Sequence, residues 1–153
     1  MMRPTVFFAC ALLLTASMGT AGPPESKATG LGFILGEPTG LMLKSWLSRT
    51  TAFDVAAAWS FEDEGAFYVH ADYLAHSFGL IETKKGRIPL HYGIGGWAKV
   101  DHKTRAGFRI PVGLSYLFDK IPLDIFVEVG GMLEVVPKTD FWANAFVGVR
   151  YYF

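Results

Sequence analysis

The sequence predicts an all-β protein, an eight-stranded antiparallel up-and-down transmembrane β-barrel, on three observations. From residue 30 onward, apolar and polar side chains alternate with the period of two that is typical of β-strands. The apolar series of the last five segments carries no charge. The opposite series mixes charges with glycines and large aromatic residues, a composition that suits the narrow interior of a small barrel better than a water-exposed surface.

The N-terminal segment is predicted to be an export signal. Thr5–Leu14 is an apolar run that follows Arg3, and it is too short to cross a bilayer as a helix. The small residues after it supply a cleavage site. We therefore expect residues 1–21 to be a signal peptide, residues 22–29 a flexible lead-in and residues 30–153 the barrel domain.

The first four strands are predicted by alternating segments between turn residues. The alternation leaves the faces of Leu31–Leu35 unassigned, is rough in Leu41–Leu47, and is clear in Phe53–Ser60 and Phe67–His76. Between the first two segments, Glu37–Gly40 has Pro and Gly at the second and fourth positions of a type I turn.

The last four strands show the strongest alternation. They are Ile88–Val100, Ala106–Phe118, Leu123–Val135 and Phe141–Phe153. In the third of these, the odd-numbered side chains are apolar apart from one glycine, whereas the even-numbered ones include three carboxylates. One face of that strand is therefore predicted to be apolar and the other polar.

Two prolines fall inside predicted strands. A closed barrel has no edge strand at which a missing backbone donor would be harmless, so each proline requires a local irregularity. We expect Pro89 to begin its strand and Pro111 to lie at a β-bulge.

Composition excludes several classes of protein. The 153 residues are 51% apolar and only 18% charged, unlike a disordered chain. Fourteen Lys and Arg residues balance fourteen Asp and Glu residues, so no net field attracts nucleic acid. The single cysteine, Cys10, excludes a disulfide framework, and a lipid anchor on it is disfavoured because the apolar run continues beyond it.

The alternation alone also fits a soluble sandwich or a lipocalin-like barrel with its apolar face inward. The absence of charge from the apolar faces favours contact with lipid, where a charge at the midplane costs about 2–4 kcal/mol. Trp59, Tyr116 and Phe118 lie near the ends of these faces and are expected at the membrane interfaces.

The C-terminal segment Val147–Phe153 resembles the last strand of bacterial outer-membrane proteins, and the whole chain resembles the small eight-stranded barrels of the OmpA/OmpX type. More narrowly, GFILGEPTGL (Gly32–Leu41), Ile110–Leu114 and Arg150–Phe153 resemble a largely uncharacterised group of outer-membrane barrels. The resemblance implies location in the outer membrane after export, with both termini in the periplasm. It also implies contact with lipid and a C-terminal signal read by the barrel assembly machinery, made of Val149, Tyr151 and Phe153.

The polar side chains are expected to form a network inside the barrel. An eight-stranded barrel is just wide enough for side chains to fill, so these groups would plug it. Arg109 and Arg150 are expected to pair with Glu128 and neighbouring carboxylates. The predicted network consists of Lys44, Asp54, His70, Asp72, His91, Lys99, Arg109, Asp124, Glu128, Glu134 and Arg150.

No catalytic, cofactor-binding or metal-binding residue is expected. His70, Asp72 and His76 share one face of a strand, but neighbours two apart are separated by about 7 Å, which opposes convergence on one ion. No inward serine lies on that strand to act as a nucleophile. The predicted function is a non-enzymatic barrel with a structural or surface-interaction role, and the sequence does not identify its external partner. A narrow solute or ion channel and a soluble periplasmic lipocalin-like carrier are the alternatives.

Overall fold

The chain folds into a closed barrel of eight antiparallel strands, which confirms the predicted class. The computed structural model describes residues 29–36, 38–61 and 65–153, so the predicted signal peptide and residues 22–28 of the lead-in lie outside the described residues. None of the described segments is a helix that is long and apolar enough to cross a membrane. The strands are β1 (Thr29–Gly36), β2 (Thr39–Trp46), β3 (Thr51–Trp59), β4 (Phe67–Glu82), β5 (Gly86–Val100), β6 (Thr104–Phe118), β7 (Leu123–Val136) and β8 (Asp140–Tyr152).

The barrel closes by pairing its first and last strands. β1 runs antiparallel to β8, with Phe33 opposite Val149. Beyond the last strand, the backbone N–H of Phe153 donates to the carbonyl of Thr29 at 2.9 Å. Both ends of the described barrel therefore lie at the same rim, and alternate strands point toward or away from it.

The fourth strand is longer than predicted. The expected segment ended at His76, whereas β4 continues to Glu82 through a register shift between Ser77 and Ile81. Gly79 adopts a φ of 95° inside this irregularity, a conformation that glycine adopts without steric cost. An irregularity of this kind breaks the alternation of side chains, which is why the pattern stopped early.

The expectations for the two prolines are wrong in detail. Pro89 does not begin its strand but lies inside β5, opposite the irregular stretch of β4. Pro111 marks no bulge, since the register of β5 with β6 is unchanged from Tyr92↔Val112 to Gly95↔Arg109. A strand residue directs its N–H to one neighbour only, so a proline removes a single ladder donor without shifting the register. The irregularity between β6 and β7 lies instead at Ala106 and Gly107, which pair with Val136 and Glu134 and leave Val135 of β7 as the extra residue.

The two faces of the wall differ sharply in chemistry. Large apolar side chains from all eight strands are exposed on the outside, among them Phe33 (61%), Ile94 (60%) and Ile110 (59%). The first strand, whose faces the sequence left open, directs Phe33 outward and Ile34 inward. On β2, Lys44 lies on the buried face with its neighbours two residues away.

The polar barrel interior as candidate functional site

All eleven residues of the predicted polar network are buried in the barrel wall's inward face. Five further buried polar residues within the eight strands share that face and were not included in the predicted network. Their signal was available, because each lies at the inward parity of its strand. These five are Tyr68, His76, Ser115, Asn144 and Tyr152.

Arg109 is the centre of the interior. Its Nη1 donates to Asp72 Oδ2 at 2.5 Å and its Nη2 donates to Glu128 Oε1 at 2.6 Å. The three side chains come from β6, β4 and β7, so one guanidinium ties non-adjacent parts of the wall together. Charge-assisted bonds of this kind are the strongest hydrogen bonds in proteins.

A glycine makes room for this cluster. Gly95 on β5 lies directly opposite Asp72 on β4. A Cβ added to Gly95 would overlap with Asp72 Oδ1. The small residue therefore allows the carboxylate to lie across the neighbouring strand, which explains glycine on a face that otherwise carries large side chains.

A hydrogen-bond chain links Glu128 to the next cluster. His91 Nε2 donates to Glu128 Oε2 at 3.0 Å, and His91 Nδ1 accepts from Ser115 Oγ at 3.2 Å. The Ser115 hydroxyl in turn accepts from Arg150 Nη2 at 3.4 Å. The order serine–histidine–carboxylate is that of a hydrolase triad. Because all three residues are at most 3% exposed, however, the geometry supports a structural hydrogen-bond chain and not a substrate-accessible nucleophile.

Arg150 holds the end of the interior that lies near the chain termini. Its Nε donates to Asp124 Oδ1 at 2.8 Å, while Tyr152 Oη donates to Asp124 Oδ2 at 2.7 Å. The guanidinium carbon lies 4.0 Å from the centre of the Phe126 ring, a cation–π contact. Arg150 was expected to pair with a neighbouring carboxylate, and that carboxylate is Asp124.

Lys44 has an unexpected partner. It lies opposite Asp54 in the register of β2 and β3, yet its Nζ donates to His76 Nε2 at 2.8 Å. His76 Nδ1 donates to the Thr50 carbonyl at 3.2 Å, which fixes the ring. His76 is therefore hydrogen-bonded to Lys44 and does not lie in the group formed by His70 and Asp72.

The third carboxylate near Arg109 belongs to Asp54. Asp54 and Asp72 lie directly opposite each other on β3 and β4. His70 Nε2 lies 3.8 Å from Asp54 Oδ1 and 3.7 Å from Asp72 Oδ2. One nitrogen or oxygen atom from each of the three side chains falls within 4.8 Å of the other two, and no other trio of His, Cys, Asp or Glu side chains in the described part of the chain is spaced this closely.

Lys99 and Glu134 lie toward the rim opposite the chain termini. Both are buried, and Arg105 Nη1 reaches Glu134 Oε2 at 4.0 Å. This end of the interior is dominated by aromatic rings, with Trp97 packed edge-on against Trp142 at 5.3 Å between ring centres. The structure therefore separates these two predicted members from the Arg109 cluster.

The outward-facing predicted residues lie at the two rims. Trp59, the last residue of β3, packs edge-on against Phe67 with 5.6 Å between ring centres. Tyr116 packs in the same way against Phe118, the last residue of β6, at 4.7 Å. Since β3 and β6 run in opposite directions, these pairs mark opposite ends of the barrel. Val149, Tyr151 and Phe153 are exposed along β8 and just beyond it.

Comparison with solved structures shows the same fold in a known protein. The chain is similar to the N-terminal β-barrel domain of Pseudomonas aeruginosa OprF, with a TM-score of 0.62 and 12% sequence identity. The match covers 83% of this chain and 98% of that one. No protein-family model matches the sequence. The comparison with curated proteins finds no match either. The shared feature is therefore the eight-stranded barrel itself, as the resemblance to the OmpA type implied.

Proposed function

We propose that this chain is a non-enzymatic bacterial outer-membrane β-barrel with a closed interior and a structural or surface-interaction role. One observation carries the proposal: exposed apolar side chains cover the outside of the wall while the charged groups lie within it. A surface of this extent would aggregate in water, whereas lipid requires it. The OprF barrel supports the proposal through its fold.

The filled interior favours a structural role over conduction. Arg109 and its two carboxylates bridge the wall from β4 to β7, and the aromatic rings of Tyr68, Trp97 and Phe126 pack around the same axis. A conducting pore needs a continuous water path, which paired charges and close-packed rings interrupt. A narrow channel is the second candidate function, and a conductance measurement distinguishes it from a closed barrel.

The same interior argues against a soluble lipocalin-like carrier. Such a carrier buries an apolar ligand inside and exposes polar side chains outside. Here Asp54, Arg109 and Arg150 are buried, whereas Phe33 and Ile110 are exposed. The arrangement is the inverse of the one that a soluble carrier requires.

The partners follow from the outward face. Lipid would contact the apolar belt, with Trp59, Tyr116 and Phe118 at its edges. Val149, Tyr151 and Phe153 are the side chains that the barrel assembly machinery would read, after export directed by residues 1–21. All three side chains lie on the outer surface of the wall, away from the polar interior.

Fractionation and conductance together test this proposal. The protein is expected to sediment with outer membranes and to resist extraction with alkaline carbonate. In planar bilayers, the purified barrel is expected to show no single-channel steps. Recovery in the salt-soluble periplasmic extract would contradict membrane insertion, while reproducible steps in the picosiemens range or above would establish the channel instead.

A further inference from the structure

A buried group of polar atoms without partners lies beside Arg109. Neither carboxylate oxygen of Asp54 has a hydrogen-bond partner among the described residues, and the same holds for both ring nitrogens of His70 and for Oδ1 of Asp72. Asp54 and Asp72 have no exposed surface, and His70 is 3% exposed. Burying a charged group without a partner is costly, so these side chains are suited to bind a ligand.

The local charges point to a cation as that ligand. Of the three carboxylates Asp54, Asp72 and Glu128, the Arg109 guanidinium bonds only to the last two. Directly opposed carboxylates on adjacent strands repel each other. Two other cations act electrostatically on Asp54, and both are bonded elsewhere: Arg150 donates to Asp124, and Lys44 directs its Nζ to His76.

The spacing of the donors fits coordination to a small metal ion. With bonds of about 2.1 Å, the ligand atoms of a tetrahedral zinc site lie about 3.4 Å apart. The distances from His70 Nε2 to Asp54 Oδ1 and to Asp72 Oδ2 are 3.8 Å and 3.7 Å. Asp72 Oδ2 is the oxygen that lies near His70, and it also accepts from Arg109, which orients the carboxylate as outer-shell partners of metal ligands do.

We propose that Asp54, His70 and Asp72 form a binding site inside the barrel for one divalent transition-metal ion of the zinc type. One imidazole and two carboxylates are a donor set that suits such ions better than calcium or magnesium, which prefer oxygen ligands alone. The expectation that His70, Asp72 and His76 fail to converge holds for His76. It did not include Asp54, which the register of β3 with β4 places beside the other two.

Zinc retention by the folded barrel tests the proposal. For this test the full chain is prepared with Cys10→Ser, which removes its only thiol. It is folded into detergent in the presence of Zn²⁺, because the site is buried in the folded barrel. After desalting, we expect one zinc ion per chain. Asp54→Asn and His70→Gln are each expected to weaken binding by about 100-fold or more, beyond the 10- to 100-fold typical of outer-shell changes.

Two matched variants control for other donors. Glu134→Gln removes a buried carboxylate outside the group, and His102→Gln removes an exposed imidazole. Both are expected to retain one zinc ion. X-ray absorption should show nitrogen and oxygen neighbours, with the imidazole signature lost only in His70→Gln.

Results of two kinds would overturn the metal site. One is a wild-type barrel, folded by heat-modifiability, that retains no zinc. The other is zinc binding that His70→Gln leaves unchanged, or that His102→Gln abolishes, since either places the ion elsewhere. If Asp54→Asn fails to fold, His70→Gln decides alone, because it leaves every buried carboxylate and its bonds in place.

Discussion

Arg109 is the residue on which most of the interior depends. It is fully buried and neutralises Asp72 and Glu128 together. Substitution by methionine keeps most of the volume but leaves two carboxylates buried without their cation. Removing one partner of a buried ion pair typically costs about 3–5 kcal/mol. We expect Arg109→Met to lower the free energy of unfolding by at least that amount, measured by urea unfolding in lipid vesicles.

The control for Arg109 is the partly exposed arginine of the same strand. Arg105 contacts Asp101 at 3.7 Å and Glu134 at 4.0 Å, and its side chain is 31% exposed. Solvent screens such contacts, which are worth up to about 1 kcal/mol. If Arg105→Met and Arg109→Met destabilised the barrel equally, the interior pairing would not be what holds the wall together.

The outward residues make an independent prediction that depends on depth. Val129 lies in the middle of β7 and Val135 near its end, and both are exposed. Lysine at the lipid midplane costs about 2–4 kcal/mol, and about 0–1 kcal/mol near the interface. Val129→Lys should therefore destabilise the barrel in vesicles by at least about 1 kcal/mol more than Val135→Lys. Equal, small costs would mean that the two positions face water.

At the scale of elements, β8 carries the prediction about assembly. Phe153 and Phe141 are both exposed aromatic residues at opposite ends of the same segment. If the C-terminal aromatic residue is the signal for the assembly machinery, Phe153→Ala should reduce the amount of folded protein in the outer membrane several-fold, whereas Phe141→Ala should not. Quantitative immunoblotting of outer-membrane fractions measures this. Equal levels for both variants would remove Phe153 from that role.

The elements also show what the sequence determines and what it does not. Strict alternation located β5 to β8 closely, because every second side chain on those strands faces the same solvent. The end of β4 could not be predicted from the sequence. The irregularity around Gly79 interrupts the alternation of side chains, and the sequence does not show how many residues it contains. The faces of β1 were ambiguous because glycines stand at several of its positions and carry no polarity signal.

The candidate sites were predictable to a similar degree. Inward parity identified the charged residues, but pairing across strands depends on register, which alternation does not define. Strand register and side-chain length determine that Lys44 bonds to His76. They also place Asp54 next to His70. A prediction from one strand at a time therefore grouped His70 with His76 and omitted Asp54.

At the scale of the whole molecule, the wall has apolar side chains outside and charged side chains inside. The central claim is that the outer surface of the barrel contacts lipid. All seven connections between the strands are short, so the wall makes up most of the described structure. Closure of β1 on β8 leaves no unpaired edge, as insertion into hydrocarbon requires.

A heat-modifiability gel on the detergent-extracted outer-membrane fraction tests this claim most directly. A closed membrane barrel resists SDS until it is boiled, so the unheated protein should migrate differently from the boiled one, and the shifted band should lie in the outer-membrane fraction. A single band with unchanged mobility, from protein found in the soluble periplasmic extract, would contradict the account.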